Sequence, residues 1–131
     1  MAAIIYVESR FEPSACSSKD AMGLMQITPN TGKWIASRLG IEKYDDKMLL
    51  DPQTNIEFGI WYLDDLRKEF KGDIQLLLAA YNAGRGNVKQ WVDSGLIKNG
   101  SDASAIPFAE TRNYINKVME AYEHYKKLYV R

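Results

Sequence analysis

The chain has 131 residues, 46% of them hydrophobic and 26% charged, which suits one compact soluble domain with its own core. Seventeen basic side chains balance seventeen acidic ones, and zero net charge argues against a general nucleic-acid binder, which needs a basic face to neutralise phosphates. The lone cysteine, Cys16, excludes an internal disulfide, and no stretch approaches the roughly 20 apolar residues that cross a bilayer.

Alternation with period two is nearly absent and helical signals recur, so an all-α domain with little or no sheet is expected. Residues 3–11 form an apolar run closed by Pro13 and the small-residue loop 14–20. Thr28-Pro29 starts a helix, with Thr28 as cap and Pro29 in the first turn, running through Trp34 and Ile35 to stop near Gly40. Asp51-Pro52 is a second start. After it Ile56, Gly59, Ile60, Leu63 and Leu66 recur at three- and four-residue spacing, which predicts an amphipathic helix ending near Gly72. Asp73 caps a helix over 74–83 that is apolar almost all round and therefore central. Gly84 to Gly86 breaks it, 87–92 is a short helix, and 95–106 reads as a loop. Pro107 opens the last helix, on which Ile115, Val118, Tyr122, Tyr125 and Tyr129 share a face.

The inventory of reactive side chains removes most chemistries. With one histidine, His124 on the polar side of the last helix, and one cysteine, no ordinary zinc site can be assembled. Cys16 has no activating partner and reads as a small packing residue. Gly84-Arg85-Gly86 lacks the Lys-Ser/Thr of a phosphate loop and reads as a helix cap and turn. No metal and no cofactor are expected. What remains is carboxylate chemistry, and Glu8 stands out at the end of Ile4-Ile5-Tyr6-Val7. It is either a solvated helix-end residue or a partly buried acid; burial would hold it protonated near neutrality, as a general acid for glycoside cleavage requires.

Three segments bear on that choice. Glu8-Ser9-Arg10-Phe11, then Ala15 and Ser17, then Gly23-Leu24-Met25-Gln26 with Pro29 following, resembles the first signature of the soluble lytic transglycosylase family, related in fold to goose-type lysozyme. Ala79-Ala80-Tyr81-Asn82-Ala83-Gly84 resembles the second, and Glu110-Thr111-Arg112-Asn113-Tyr114 the third. They stand in the family's order and span nearly the whole chain. The resemblance implies a lysozyme-like helical fold with a substrate groove and a peptidoglycan glycan strand as partner. It places Glu8 on the catalytic acid/base and Ser17, Gln26, Tyr81, Asn82 and Glu110 on substrate-binding positions. Gly23, Met25 and Tyr114 fall on groove-shaping positions, and Arg112, Asn113 and Phe11 read equally well as ties between helices. Ser18-Lys19-Asp20-Ala21-Met22 departs from the family's Gly-Ala approach to the Gly-Leu-Met-Gln run, so that loop is expected to be stiffer or differently shaped. The family domain also carries more helix ahead of the catalytic segment, so the first helix is either shortened here or supplied by a neighbouring chain.

The resemblance also implies a lyase rather than a hydrolase. Glycosidases normally use two carboxyl groups, and no second acid lies inside the matched motifs near Glu8. Glu12, Asp20, Asp45, Asp46 and Asp51 are candidates by composition only and read as caps or solvated loop residues. One carboxyl acting twice, with the muramic sugar's own 6-hydroxyl as nucleophile, yields a 1,6-anhydro end. The rivals are a hydrolytic muramidase of the same fold and a catalytically idle wall-binding domain. Residues 1–131 are thus expected to be a single catalytic domain of a longer exported or membrane-anchored protein, working outside the cytoplasm, with the export signal or anchor beyond this chain.

Overall fold

The computed structural model describes residues 1–129, the side chain of Tyr129 excepted. Of the described residues 67% are helical and none lies in a strand, which meets the all-α expectation. Among the described residues six α-helices follow in order: α1 Ala2–Ser9, α2 Pro29–Arg38, α3 Pro52–Glu69, α4 Ile74–Ala83, α5 Arg85–Asp93 and α6 Ala109–Tyr129. Short 3-10 helices occupy Asp46–Leu50 and Gly100–Ala105. The chain divides into two compact units, Met1–Tyr62 and Leu63–Arg131.

In the first unit, α1 buries Ala3, Ile4, Ile5 and Ser9 and stops where Arg10 and Phe11 both turn left-handed (φ 52° and 64°). The Arg10 N–H donates back to the Tyr6 carbonyl, and its guanidinium lies 4.9 Å from the Tyr6 ring centroid. The Thr28 hydroxyl caps α2 by accepting from the Thr31 N–H, and Pro29 sits in the first turn. At the other end Gly40 is left-handed (φ 75°) and the Ile41 N–H reaches back to the Ala36 carbonyl, a close in which glycine carries the positive φ. Asp51 caps α3 by accepting from the Thr54 N–H and hydroxyl. The buried stripe of α3 is rotated from the one the apolar pattern predicts. Asn55, Phe58, Gly59 and Leu66 are buried, whereas Ile60 is 46% exposed. The polar Asn55 lies on that stripe because the loop before α2 presents backbone groups that need a partner there.

In the second unit, α4 keeps the predicted bounds and packs against α5, α6 and the second 3-10 helix. Leu76, Leu78, Ala79 and Ala80 are buried, so its central place within this unit is realised, with Ile74 left exposed. Asp73 does two jobs: one oxygen caps α4 through the Leu76 N–H, and the other accepts from the Gly100 N–H. Three boundaries differ from expectation. First, α5 begins at Arg85, because Gly84 alone (φ 96°, ψ 140°) both ends α4 and opens α5. The segment 95–106 is not all loop, since Asn99 accepts from the Ser101 N–H and starts a 3-10 turn. Finally, α6 opens at Ala109 rather than at Pro107. On α6, Ile115 and Val118 are buried, Tyr125 is half-buried and Tyr122 is exposed, while the Tyr129 side chain lies outside the described residues. No helix among the described residues is long and apolar enough to cross a membrane.

Candidate active site

Glu8 occupies the last turn of α1 and is half-buried, the second of the two readings its sequence position allows. Its neighbour Ser9 is buried and points at the next motif segment: Ser9 Oγ lies 2.7 Å from the Leu24 carbonyl and 3.1 Å from the Ile5 carbonyl of its own helix. The loop 15–27 thus runs directly against the end of α1. It folds as two tight reversals, with isolated bridges pairing Cys16 to Met22 and Met22 to Ile27. Three of its residues are left-handed, Asp20, Gly23 and Gln26 (φ 63°, 79° and 50°). Glycine is required at 23, where a Cβ would run into the Asn55 side chain and the Leu49 carbonyl.

Ser17 is exposed, and its Oγ accepts from the backbone N–H groups of Lys19 and Ala21 at 3.1 Å each. The hydroxyl hydrogen remains for a donation outward. Gln26 is the reverse case. Its Nε2 donates to the Ala15 carbonyl at 3.0 Å and the Gly23 carbonyl at 2.9 Å. Both amide hydrogens are therefore spent on the loop's own backbone. Each bond contributes about 1 kcal/mol, set against the roughly 1–2 kcal/mol that a left-handed non-glycine residue costs. What Gln26 offers a ligand is its Oε1, an acceptor. Met25 is fully buried, with its sulfur end packed over Gly59. Cys16 is exposed rather than packed, since the turn that carries it directs the thiol outward.

Three of the other candidate acids of this unit, Glu12, Asp45 and Asp51, are occupied locally. The Glu12 carboxylate accepts from the Ser14 hydroxyl and N–H, which hold it below the usual carboxylate range. Asp45 accepts from the Lys47 N–H and caps the first 3-10 helix. Asp51 is held low by the Thr54 N–H and hydroxyl. Burial, then the Asp46 and Asp45 carboxylates nearby, push the Tyr44 hydroxyl's pKa up.

In the second unit, Tyr81 and Asn82 lie in the last turn of α4 and are half-buried. Asn82 Oδ1 accepts from the hydroxyl of Thr111, a buried residue of α6, which joins the second motif to the third. Glu110 is exposed in the first turn of α6, and Tyr114 is buried one turn on. An open cleft of about 800 Å³ in this unit is lined by Arg85, Lys89, Val92 and Lys98 among others, and no motif residue lines it. Arg85 there pairs with Asp65 at 2.7 Å and Glu69 at 3.0 Å. Among the described residues no three His, Cys, Asp or Glu side chains converge where they could hold a metal ion.

The family model for the transglycosylase SLT domain matches residues 1–102. The chain belongs to the transglycosylase SLT domain family. The match takes in the first two motifs, and likeness to relatives extends across the third. The soluble lytic murein transglycosylase of Escherichia coli K12 is 37% identical over 131 residues, 98% of this chain and 20% of that protein. The chain thus spans about a fifth of the length of such relatives. The crystal structure of the 70 kDa soluble lytic transglycosylase of Escherichia coli superposes with a TM-score of 0.87 at 35% identity, covering 96% of this chain and 21% of that one. An inactive Glu-to-Gln mutant of lytic transglycosylase Slt from Pseudomonas aeruginosa superposes with a TM-score of 0.84 at 36% identity, covering 95% and 20%.

For an SLT domain, three side chains gain importance that the motif reading passed over: Ser9 and Thr111, quoted within motifs without a role, and Asn55, outside them. Asn55 is fully buried and bonds three backbone groups. Its only sequence signal is a polar residue four positions after Asp51, next to Ile56 on a helix with an apolar stripe.

Proposed function

We propose that this domain is a peptidoglycan lytic transglycosylase that cleaves the MurNAc-β-1,4-GlcNAc bond with Glu8 as its single acid/base. The observation that carries the reading is the half-buried Glu8 beside Ser9, which is tied to the Gly23–Gln26 loop, in a chain of this family. Glu8 gives its proton to the glycosidic oxygen, and the bond from that oxygen to C1 of the muramic sugar breaks. The sugar's N-acetyl oxygen supports C1. The Glu8 carboxylate then takes the proton of the 6-hydroxyl as O6 closes on C1. Atoms balance without water, and Glu8 returns to its starting state.

In this reading Ser17 presents a donor and Gln26 an acceptor to the glycan. Tyr81, Asn82 and Glu110 bind substrate, Asn82 sharing its oxygen with Thr111. Gly23, Met25 and Tyr114 shape the surface from beneath. Because peptidoglycan lies outside the cytoplasmic membrane, the protein works in the cell envelope. Capping by Asp45 and Asp51 weighs against the hydrolytic alternative, which needs a second free acid to place a water. Product mass decides the matter: purified peptidoglycan should release fragments ending in anhydro sugars, each one water lighter than a hydrolytic product.

A further inference from the structure

We infer that Asn55 is a positioning residue, which holds the Gly23–Gln26 loop in the shape that turnover requires. The inference rests on the transglycosylase reading for its link to activity. Asn55 Nδ2 donates to the Met22 carbonyl at 2.9 Å and the Leu49 carbonyl at 2.7 Å, and Oδ1 accepts from the Met25 N–H at 2.8 Å. One side chain thus binds the loop on both sides of Gly23 and fastens it to the segment before α3. A glycine at 23 is what allows Asn55 to come so close.

The loop needs such a hold. It carries two left-handed residues that are not glycine, Asp20 and Gln26, and such conformations persist only where their surroundings over-determine them. Apolar packing cannot supply this, because the buried Leu49 carbonyl and Met25 N–H must each find a polar partner, while the Met22 carbonyl accepts from the Ile27 N–H as well as from Asn55. An aspartate at 55 would turn a carboxylate oxygen toward both carbonyls, and that repulsion would draw the loop, with the Met25 N–H, away from the side chain. An alanine would lose all three. Gln26 then fails indirectly. Its amide grips the Ala15 and Gly23 carbonyls, so a shift of the loop moves its Oε1 with them.

The test uses Asn55→Ala and Asn55→Asp with hydrogen exchange and peptidoglycan turnover, at a temperature where melting curves show each variant folded. Both variants should lose protection at the Met25 amide while the amides of α2 keep theirs. Turnover should fall by about 10- to 100-fold, the scale of a displacement near 1 Å at a reacting site. The loss should fall on kcat more than on KM, since Asn55 meets no substrate. Protection retained at Met25, or turnover within twofold of the parent, overturns the inference. The unsubstituted protein gives a check that needs no variant: its Met25 amide should exchange as slowly as the buried amides of α3, and exchange at an open loop's rate overturns the inference. If the unsubstituted domain does not cleave peptidoglycan, the transglycosylase reading fails by itself, and the exchange data still judge the hold on the loop.

Discussion

Thr111 Oγ1 donates to Asn82 Oδ1 across 2.8 Å, from a residue only 1% exposed. The bond ties the end of α4 to the start of α6, and Tyr81 and Glu110 each stand next to one of its partners in sequence. Thr111→Val keeps the shape and removes the donor. It should lower stability by about 1 kcal/mol, read from urea unfolding. An unchanged midpoint for Thr111→Val would mean the bond contributes nothing net.

Glu8→Gln retains volume and removes the titrating proton. Peptidoglycan cleavage should fall by at least about 100-fold, the lower range for losing a general acid. The helical circular dichroism and the melting midpoint should stay close to the parent's. Comparable turnover in the variant would move the chemistry to another side chain.

Asp45→Asn, Asp46→Asn and Asp51→Asn test the carboxylate-pair alternative. Asp45 and Asp51 accept local N–H groups, and asparagine caps about as well. Cleavage should change less than twofold in each, and the products should resist borohydride reduction. A loss as large as that from Glu8→Gln, with reducible muramic ends, would establish hydrolysis.

Acid should weaken the fold through specific carboxylates. Side-chain hydrogen bonds from Ser14 and Arg67 respectively lead in holding Glu12 and Asp64 below their ordinary values, and the Thr54 N–H leads for Asp51. Because the folded-state values are depressed, their contribution is complete above the unfolded-state values near about 4. It is lost as pH falls through the folded-state values. Melting midpoints should be flat from pH 7 to about 5 and drop below that. Asp51→Asn should flatten part of the drop, and an identical pH profile in that variant would remove Asp51 from the account.

Much of this fold is legible because its helix starts are local events. Thr28-Pro29 and Asp73 announce their caps in adjacent residues, and the structure places α2 and α4 there. The start of α5 at Arg85 is not legible, because nothing in Gly84-Arg85-Gly86 says that one glycine suffices to end a helix and begin the next. The stripe of α3 is misread for a different reason. Pattern reading ranks apolar residues, so it promotes Ile60 and passes over Asn55, whose burial is dictated by the Met22 carbonyl and the Met25 N–H, 33 and 30 positions away in sequence. At the site, family resemblance picks out Gln26, while the commitment of its amide hydrogens depends on a fold-back to Ala15 that spacing does not reveal.

The hold on residues 22–27 has a consequence for protein engineering. Its fastenings come from Ser9 in α1 and Asn55 in α3, both outside the segment, while Gln26 closes it from within. Transplanting the Gly-Leu-Met-Gln stretch as a contiguous peptide onto another scaffold would therefore carry over the letters and leave the geometry behind. A successful graft must bring a serine at the end of one helix, an asparagine in the first turns of another, and the spacing between them. The portable unit is that triangle of elements, and a recipient should be chosen for the two helices before the loop is written in.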